Sequence, residues 1–416
     1  MPLTSFYTAL TGLNNNSMAI NVIGNNLANM NTTAFKSSQA NFSELLAGLS
    51  GTSATGNPIS FGLGSTFNGI SRMNTQGTIN YTGLSTDAAI NGNGYFVVST
   101  SGGQGFTRSG KFGFDSEGNF ISADGFQAMG YVAVNGTIDT GGGLTPIQIR
   151  KGQGLPASAT TTMSISANLD SQAAVGDTYS SPVQIYDSLG VAHIVTVTYT
   201  KTATGAWNWS ATVPAEETAG GVAGGTPTVI GSGALQFNGM GIMTSPTTNP
   251  TLSFSNLASG AANMQVSFNL VDPNGNASIT SYAAASTTSS TTQDGYASSV
   301  LKDISIDSSG VIMGLSENGQ SVPLAQLALA NFPNIEGLQK YQGSTFVAFT
   351  SSGEPSIGTA GTGGRGTITG SSLEQSNVDM AQEFINLIVA QRAYQANSKV
   401  ITTTDELYQD SLNLKR

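Results

Sequence analysis

The sequence predicts a mainly β protein with α-helical termini, nested so that one β domain is inserted in another. Three observations predict this. Both ends carry heptad-spaced apolar residues with few helix breakers: residues 3–27 contain no proline, and residues 371–416 contain neither Gly nor Pro. Residues from about 40 to 366 instead alternate polar and apolar between turns dense in Gly, Asn and Asp. Low-complexity stretches at 151–162, 283–294 and 358–366 interrupt that β text and read as linkers.

The N-terminal helix follows from Leu3, Phe6, Leu10, Leu13, Ser17, Ile20, Gly24 and Leu27, which fall at alternating three- and four-residue steps. At the other end, Ser371 with Glu374 reads as a capping box opening a helix. Leu373, Met380, Phe384, Leu387, Tyr394, Ile401, Tyr408 and Leu412 follow with heptad spacing, interrupted by polar Asn377, Gln391, Ser398 and Asp405. Residues 371–416 as one helix span about 69 Å, with Ile401-Thr402-Thr403-Thr404 as an expected weak point, because β-branched side chains crowd the preceding turn. Neither seam can bury itself. The two helices are expected to pair as an antiparallel hairpin, and lateral packing on further copies is expected beyond that. Polar seam positions such as Gln391 specify partners rather than maximise stability.

Within the β text, Asp115-Ser116-Glu117-Gly118, Asp187-Ser188-Leu189-Gly190 and Asp272-Pro273-Asn274-Gly275-Asn276 each sit between two strand-like runs and read as hairpin turns. Asp307-Ser308-Ser309-Gly310 repeats the first context far along the chain, a hint that both segments belong to one sheet.

Composition limits function. Charged residues are 9% of the 416, and net charge is −10. Nucleic acid and anionic membrane both require basic patches, which this balance argues against. There is no cysteine, hence no disulfide or thiolate chemistry, and a single histidine excludes sites needing two imidazoles. The first basic residue is Lys36, so the start lacks the charged region of a signal peptide, and export without a cleaved signal is expected. No apolar stretch approaches the roughly 20 residues needed to span a bilayer.

Candidate chemistry fails on inspection. Gly105-Phe106-Thr107-Arg108-Ser109-Gly110-Lys111 resembles a phosphate loop, but Phe112 stands where a magnesium-binding hydroxyl belongs and the text after it alternates like a strand. The glycines of 361–366 open no helix and read as a linker. His193 reads as a half-exposed strand residue. Of the adjacent acids, Glu216-Glu217 lie in a Gly-rich loop, and Asp405-Glu406 diverge by about 100° on a helix. Trp207 and Trp209 share one strand face, which favours packing over sugar stacking. No nucleophile, base and oxyanion hole converge, so no catalytic, cofactor or metal residues are assigned.

The ends carry recognisable text. Val22-Ile23-Gly24-Asn25-Asn26-Leu27-Ala28-Asn29 with Phe35-Lys36, and Leu373-Glu374-Gln375-Ser376-Asn377-Val378-Asp379 with Ala390-Gln391-Arg392-Ala393-Tyr394-Gln395-Ala396-Asn397, resemble the terminal signatures of the bacterial flagellar rod and hook proteins. Internal blocks agree: Ala89-Ile90-Asn91-Gly92-Asn93-Gly94-Tyr95-Phe96-Val97-Val98, Thr107-Arg108, and Gln293-Asp294-Gly295-Tyr296. Residues 160–290 match only as a β insertion. One departure is Ala34, where the family usually has Gly. If that position needs positive φ, Ala costs about 1 kcal/mol, so a different turn is expected there.

The length and the insertion resemble the family's hook members. The resemblance implies a homopolymeric tube, exported through the type III apparatus and located in the hook outside the cell. Its implied neighbours are the rod, the hook–filament junction protein and, during assembly, the hook cap, with no membrane insertion. It also implies a radial order. Residues 1–30 and 371–416 form an innermost helical polymerisation domain, and 31–71 with 358–370 connect it outward. Residues 72–159 and 291–357 form the first β domain, and 160–290 the outer insertion. The expected polymer interface comprises Leu10, Leu13, Ile20, Asn25, Asn26, Leu27, Phe384, Leu387, Ile388, Gln391, Arg392 and Tyr394. Two other readings stay open: a distal rod subunit, and an extracellular β-rich carbohydrate-binding protein or enzyme.

Overall fold

The computed structural model describes residues 2–413 apart from 46–47, 53–57, 135, 151 and 273–274. Pro273 and Asn274 of the expected 272–276 turn, and the side chains of Leu3 and Leu412, lie outside the described residues. Two long helices, α1 (Pro2–Ala28) and α2 (Met380–Asn413), enclose a chain whose described residues form mainly strands. The chain divides into two units. One contains Met1–Lys151, Asp303–Gly314 and Ser321–Arg416; the other contains Gly152–Lys302 and Leu315–Gln320.

In the first unit, strands Ser321–Leu327, Gln127–Val134, Tyr95–Thr100, Gly103–Thr107, Thr345–Val347 and Gln339–Gln342 lie side by side in that order. Each pair along this row is antiparallel. Its core gathers Tyr95, Val97, Phe106, Tyr131, Ala328, Ala330, Phe332 and Leu338, with Phe332 edge-on to both Tyr95 and Phe106. The Asp115 turn joins Phe112–Phe114 to Phe120–Ser122, and the Asp307 turn joins Ser299–Ile306 to Val311–Ser316. Both strand pairs belong to one sheet, as the repeated turn text suggests. In each turn the Asp carboxylate accepts backbone N–H groups two and four residues on, which fixes the local geometry. Apart from this sheet, Ser38–Glu44 and Ser65–Arg72 form a two-stranded ribbon.

The second unit is a two-sheet sandwich. One sheet is Thr178–Tyr186, Ala192–Ala203, Ala206–Val213, Thr228–Phe237 and Met243–Ser245, in chain order and antiparallel throughout. The other is built around Thr162–Asn168. The inward alternate residues of both sheets form one core, including Ile165, Val195, Val197, Tyr199, Trp207, Trp209, Leu252, Val266 and Phe268. Trp207 and Trp209 are 1% and 3% exposed, so neither offers a stacking platform at the surface.

Four expectations need correction. The Ser/Thr run at 283–294 is no linker: Thr287–Gln293 pairs antiparallel with Thr162–Asn168, since β-branched Thr suits an edge strand even without apolar content. The runs around the 272 turn do not form one ladder. Met264–Phe268 and Ile279–Thr280 each pair in parallel with Thr162–Asn168 instead, leaving, among the described residues, a single bridge, Val271 to Ala277. His193 is on a strand as expected, but it is buried rather than half-exposed, because it shares the inward face with Val195, Val197 and Tyr199. Ile401–Thr404 does not interrupt α2. The hydroxyls of Thr402, Thr403 and Thr404 donate to the carbonyls of Lys399 and Val400, which satisfies them within the helix.

Candidate assembly interface

The helices α1 and α2 pack against each other as an antiparallel hairpin. Asn26 near the end of α1 donates to Glu383 near the start of α2, while Gly12 lies against Asn397. Fourteen residues separate the two contacts on each helix, so the register is uniform. At Gly12 an added Cβ would sit 2.6 Å from Asn397 Nδ2, so a larger residue there would make the Asn397 side chain swing aside.

The face used differs from the expected one. On α1 the buried residues are Ala9, Asn15, Ile23 and Asn26, not the large residues of the heptad seam. On α2 they are Ala390 and Thr404, flanked by half-buried Glu383, Leu387, Asn397 and Ile401. The two helices meet where Asn26 faces Glu383 and Gly12 faces Asn397, whereas Asn15 turns to the ribbon and donates to Ser65 Oγ. Of the expected interface residues, Leu13, Ile20, Leu27 and Leu387 are half-buried, whereas Leu10, Asn25, Phe384, Ile388, Gln391, Arg392 and Tyr394 are exposed. Asn26 does not fit an interface between copies. It is 1% exposed and engaged inside the chain, donating to Ser38 O and accepting from Ser38 N.

What remains outward on α2 is an apolar stripe. Phe384, Ile385, Ile388 and Val389 are 49%, 55%, 54% and 62% exposed, and recur at the i, i+1, i+4, i+5 spacing of one helical face. Tyr7, Leu10 and Met18 are similarly exposed on α1.

Beneath the hairpin, a buried ionic knot ties both termini to the first β domain. The expected capping box is absent: Ser371 has φ +52°, Ser372–Glu374 pairs as a strand with Ile79–Tyr81, and α2 starts at Met380. Asp379 supplies the cap, accepting from the N–H groups of Ala381 and Gln382. Glu374 is held elsewhere by stronger partners. Its Oε1 accepts from Lys36 Nζ at 2.6 Å and Gly77 N at 2.9 Å, and its Oε2 accepts from Arg108 Nε at 2.8 Å. Arg108 also donates to the carbonyls of Gly94, Gly92 and Ile90, and Lys36 to that of Thr75. Asn377 adds a second clasp, accepting from Ser37 N and donating to Met73 O and Thr75 O.

Burial alone would raise the Glu374 carboxyl, but the Arg108 charge and the bonds from Arg108, Lys36 and Gly77 hold it below the usual range. Lys36 is pulled below its ordinary value, chiefly by burial, against the pull of Glu374. Lys36, Arg108 and Glu374 stand inside the recognisable blocks, yet sequence reasoning assigned them no site. The available signal was two cations embedded in nearly uncharged text.

Ala34 is part of the same clasp. Its N–H donates to Glu374 O at 2.9 Å, and it takes φ +58° despite its Cβ. The turn therefore keeps the left-handed geometry rather than changing, because the buried bond holds it there.

Comparisons with known proteins place this arrangement. Four family models cover successive parts of the chain. They are the flagella basal body rod protein (residues 6–36), the flagellar hook protein FlgE/F/G D1 domain (89–168), the flagellar basal body protein FlaE D2 domain (156–296) and the flagellar basal body rod FlgEFG protein C-terminal (369–414). The chain is 32% identical to the flagellar hook protein FlgE of Treponema pallidum, covering 100% of both chains. It is 35% identical to that of Escherichia coli, covering 99% of this chain and all of the relative. The crystal structure of Helicobacter pylori flagellar hook protein FlgE2 shares the fold, with a TM-score of 0.52 and 15% identity over 71% of this chain and 100% of that one. No helix among the described residues is long and apolar enough to cross a membrane. On full-length identity and domain order together, the chain belongs to the flagellar hook protein family.

Proposed function

We propose that the chain is the structural subunit of a flagellar hook, polymerising into a flexible tube that passes torque from rod to filament. The observation that carries this reading is the outward stripe Phe384, Ile385, Ile388 and Val389, an apolar face left over after the hairpin has closed. Further copies of the same helices would cover it. In this reading the hairpin of α1 and α2 lines the inside of the tube, the first β domain comes next and the inserted β domain is outermost. The rod adjoins the tube at its proximal end and a junction protein at its distal end. A hook cap and the type III export apparatus serve assembly outside the cell.

The test is sedimentation of polymer. Ile388→Asp places a charge in the proposed contact, at a cost of several kcal/mol, and should abolish pelletable tubes while the β domains stay folded by circular dichroism. Tubes from this variant at wild-type concentration would overturn the stripe as the contact.

A further inference from the structure

The second unit holds a buried polar cluster around its histidine. His193, 2% exposed, presents one ring nitrogen to each of two carboxylates: Nε2 to Asp187 Oδ2 at 3.1 Å, and Nδ1 to Glu217 Oε2 at 3.0 Å. These are the titratable groups that face the ring, one from the turn at 187–190 and one from the short helix Ala215–Glu217. A third segment joins through Ser259, whose hydroxyl donates to Asp187 Oδ2 at 2.6 Å. The ring and the Asp187 carboxylate together thus link three connections of the sandwich.

We propose that His193 is a pH-operated latch, closing the 215–219 segment when its ring is protonated and releasing it at Glu217 when the proton leaves. The argument is donor counting. An ionised carboxylate can only accept, and a neutral imidazole has one N–H and one bare nitrogen. With a carboxylate oxygen at hydrogen-bond distance from each nitrogen, only the doubly protonated ring satisfies both, through two charge-assisted bonds. Loss of a proton sets a nitrogen lone pair against an oxygen lone pair on one side.

The structure decides which side lets go. The Asp187 side chain is fully buried, and its Oδ1 also accepts from the N–H groups of Leu189 and Val191. Burial works against its charge, but the bonds from Ser259, His193, Val191 and Leu189 hold its carboxyl below the usual range, so it stays an acceptor. The Glu217 side chain is 20% exposed and can turn to water. The neutral ring therefore keeps Nε2–H on Asp187 and frees Glu217. Glu217 is stitched to the neighbouring segment by its own carbonyl, which accepts from Ala258 N at 2.8 Å, beside Ala219 N to Asn256 O at 2.6 Å. Those two bonds should weaken when the carboxylate leaves.

The single histidine makes the test clean. Nitrogen-15 spectra of the full chain, recorded from about pH 4 to 9, report the protons on each ring nitrogen, and hydrogen exchange reports the amides. Expected are two protonated nitrogens in acid and the Nε2–H form after titration. Exchange at Ala219 and Ala258, corrected for base catalysis, should quicken about tenfold or more across the same midpoint, the worth of a bond to a charged group. Val195 and Val197 should not change. In Glu217→Gln the amide can accept from the charged ring or donate to the neutral one, so protection should lose its pH dependence. The proposal fails if the ring never titrates in this range or the neutral ring carries its proton on Nδ1. It fails equally if exchange at Ala219 and Ala258 stays flat, or if Glu217→Gln keeps the wild-type profile.

Discussion

Glu374→Gln tests the buried knot, and the magnitude follows from the charges around it. Lys36 and Arg108 contribute two positive charges against one negative, and all three side chains are at most 9% exposed. Removing the carboxylate leaves two buried cations unopposed. It also turns an amide N–H toward either Lys36 and Gly77 or Arg108, where a donor meets a donor. Breaking a buried pair from one side costs about 3–5 kcal/mol. At roughly 2–4 °C per kcal/mol for a unit of this size, the first unit should melt about 6–20 °C lower. Lys36→Met is the informative comparison. It deletes the cation whose charge burial already disfavours and leaves Glu374 balanced by Arg108, so its cost should be clearly smaller. Calorimetry of the full chain reads both variants, with the transition of the second unit as internal control. The carboxyl also sets a pH dependence. Its folded pKa lies below the unfolded 4.5, so the unfolded chain takes up the proton first on acidification. The stabilisation is present above pH 4.5 and lost as pH falls through the folded value, and Glu374→Gln should flatten that acid limb. Equal losses for the two variants, or an unchanged acid limb, would refute the account of Glu374 as the charge that holds the knot.

Ala34→Gly relieves a left-handed alanine worth about 1–2 kcal/mol, less about 0.4–1 kcal/mol for the freer unfolded chain. The first unit should melt slightly higher in calorimetry, and a fall would show that the methyl's packing outweighs its strain. Residues 156–296 can be replaced by a short Gly/Ser linker, because Ser158 and Tyr296 exchange both backbone bonds and Leu155 pairs with Ser299. Such a chain should still polymerise, into tubes that electron microscopy finds thinner and altered in curvature. Failure to assemble at high concentration, or an unchanged diameter, would contradict an outermost role. Leu387→Asp should differ from Ile388→Asp by also opening the hairpin, seen as faster hydrogen exchange around Ala390; similar exchange in the two would put both residues on one face.

The local features were legible because their causes are local. An Asp with Gly three residues on closes its own turn through its own carboxylate, so the turns at 115, 187 and 307 needed no tertiary information. Strand alternation paired Trp207 with Trp209 on one face, and heptad spacing with an absence of breakers located both helices. These are properties of a few consecutive residues.

Tertiary structure decided which of several compatible faces is used. Both helices carry apolar residues on more than one side, so spacing could not choose between them. In the folded chain Asn26 meets Glu383 and Gly12 meets Asn397, which leaves Ile388 outward. Alternation likewise put His193 on a face without saying which face is inside, or that Glu217 would come to meet it. Glu374 shows the limit most clearly. Beside Ser371 it has the spacing of a capping box, a local bond of modest worth. Its partners Lys36 and Arg108 stand 338 and 266 residues away, and two charge-assisted bonds in a dry site outweigh one exposed cap. The sequence determined the elements, whose energies depend on near neighbours. Folding determined the seam, the knot and the latch, whose energies depend on residues that only the closed chain brings together.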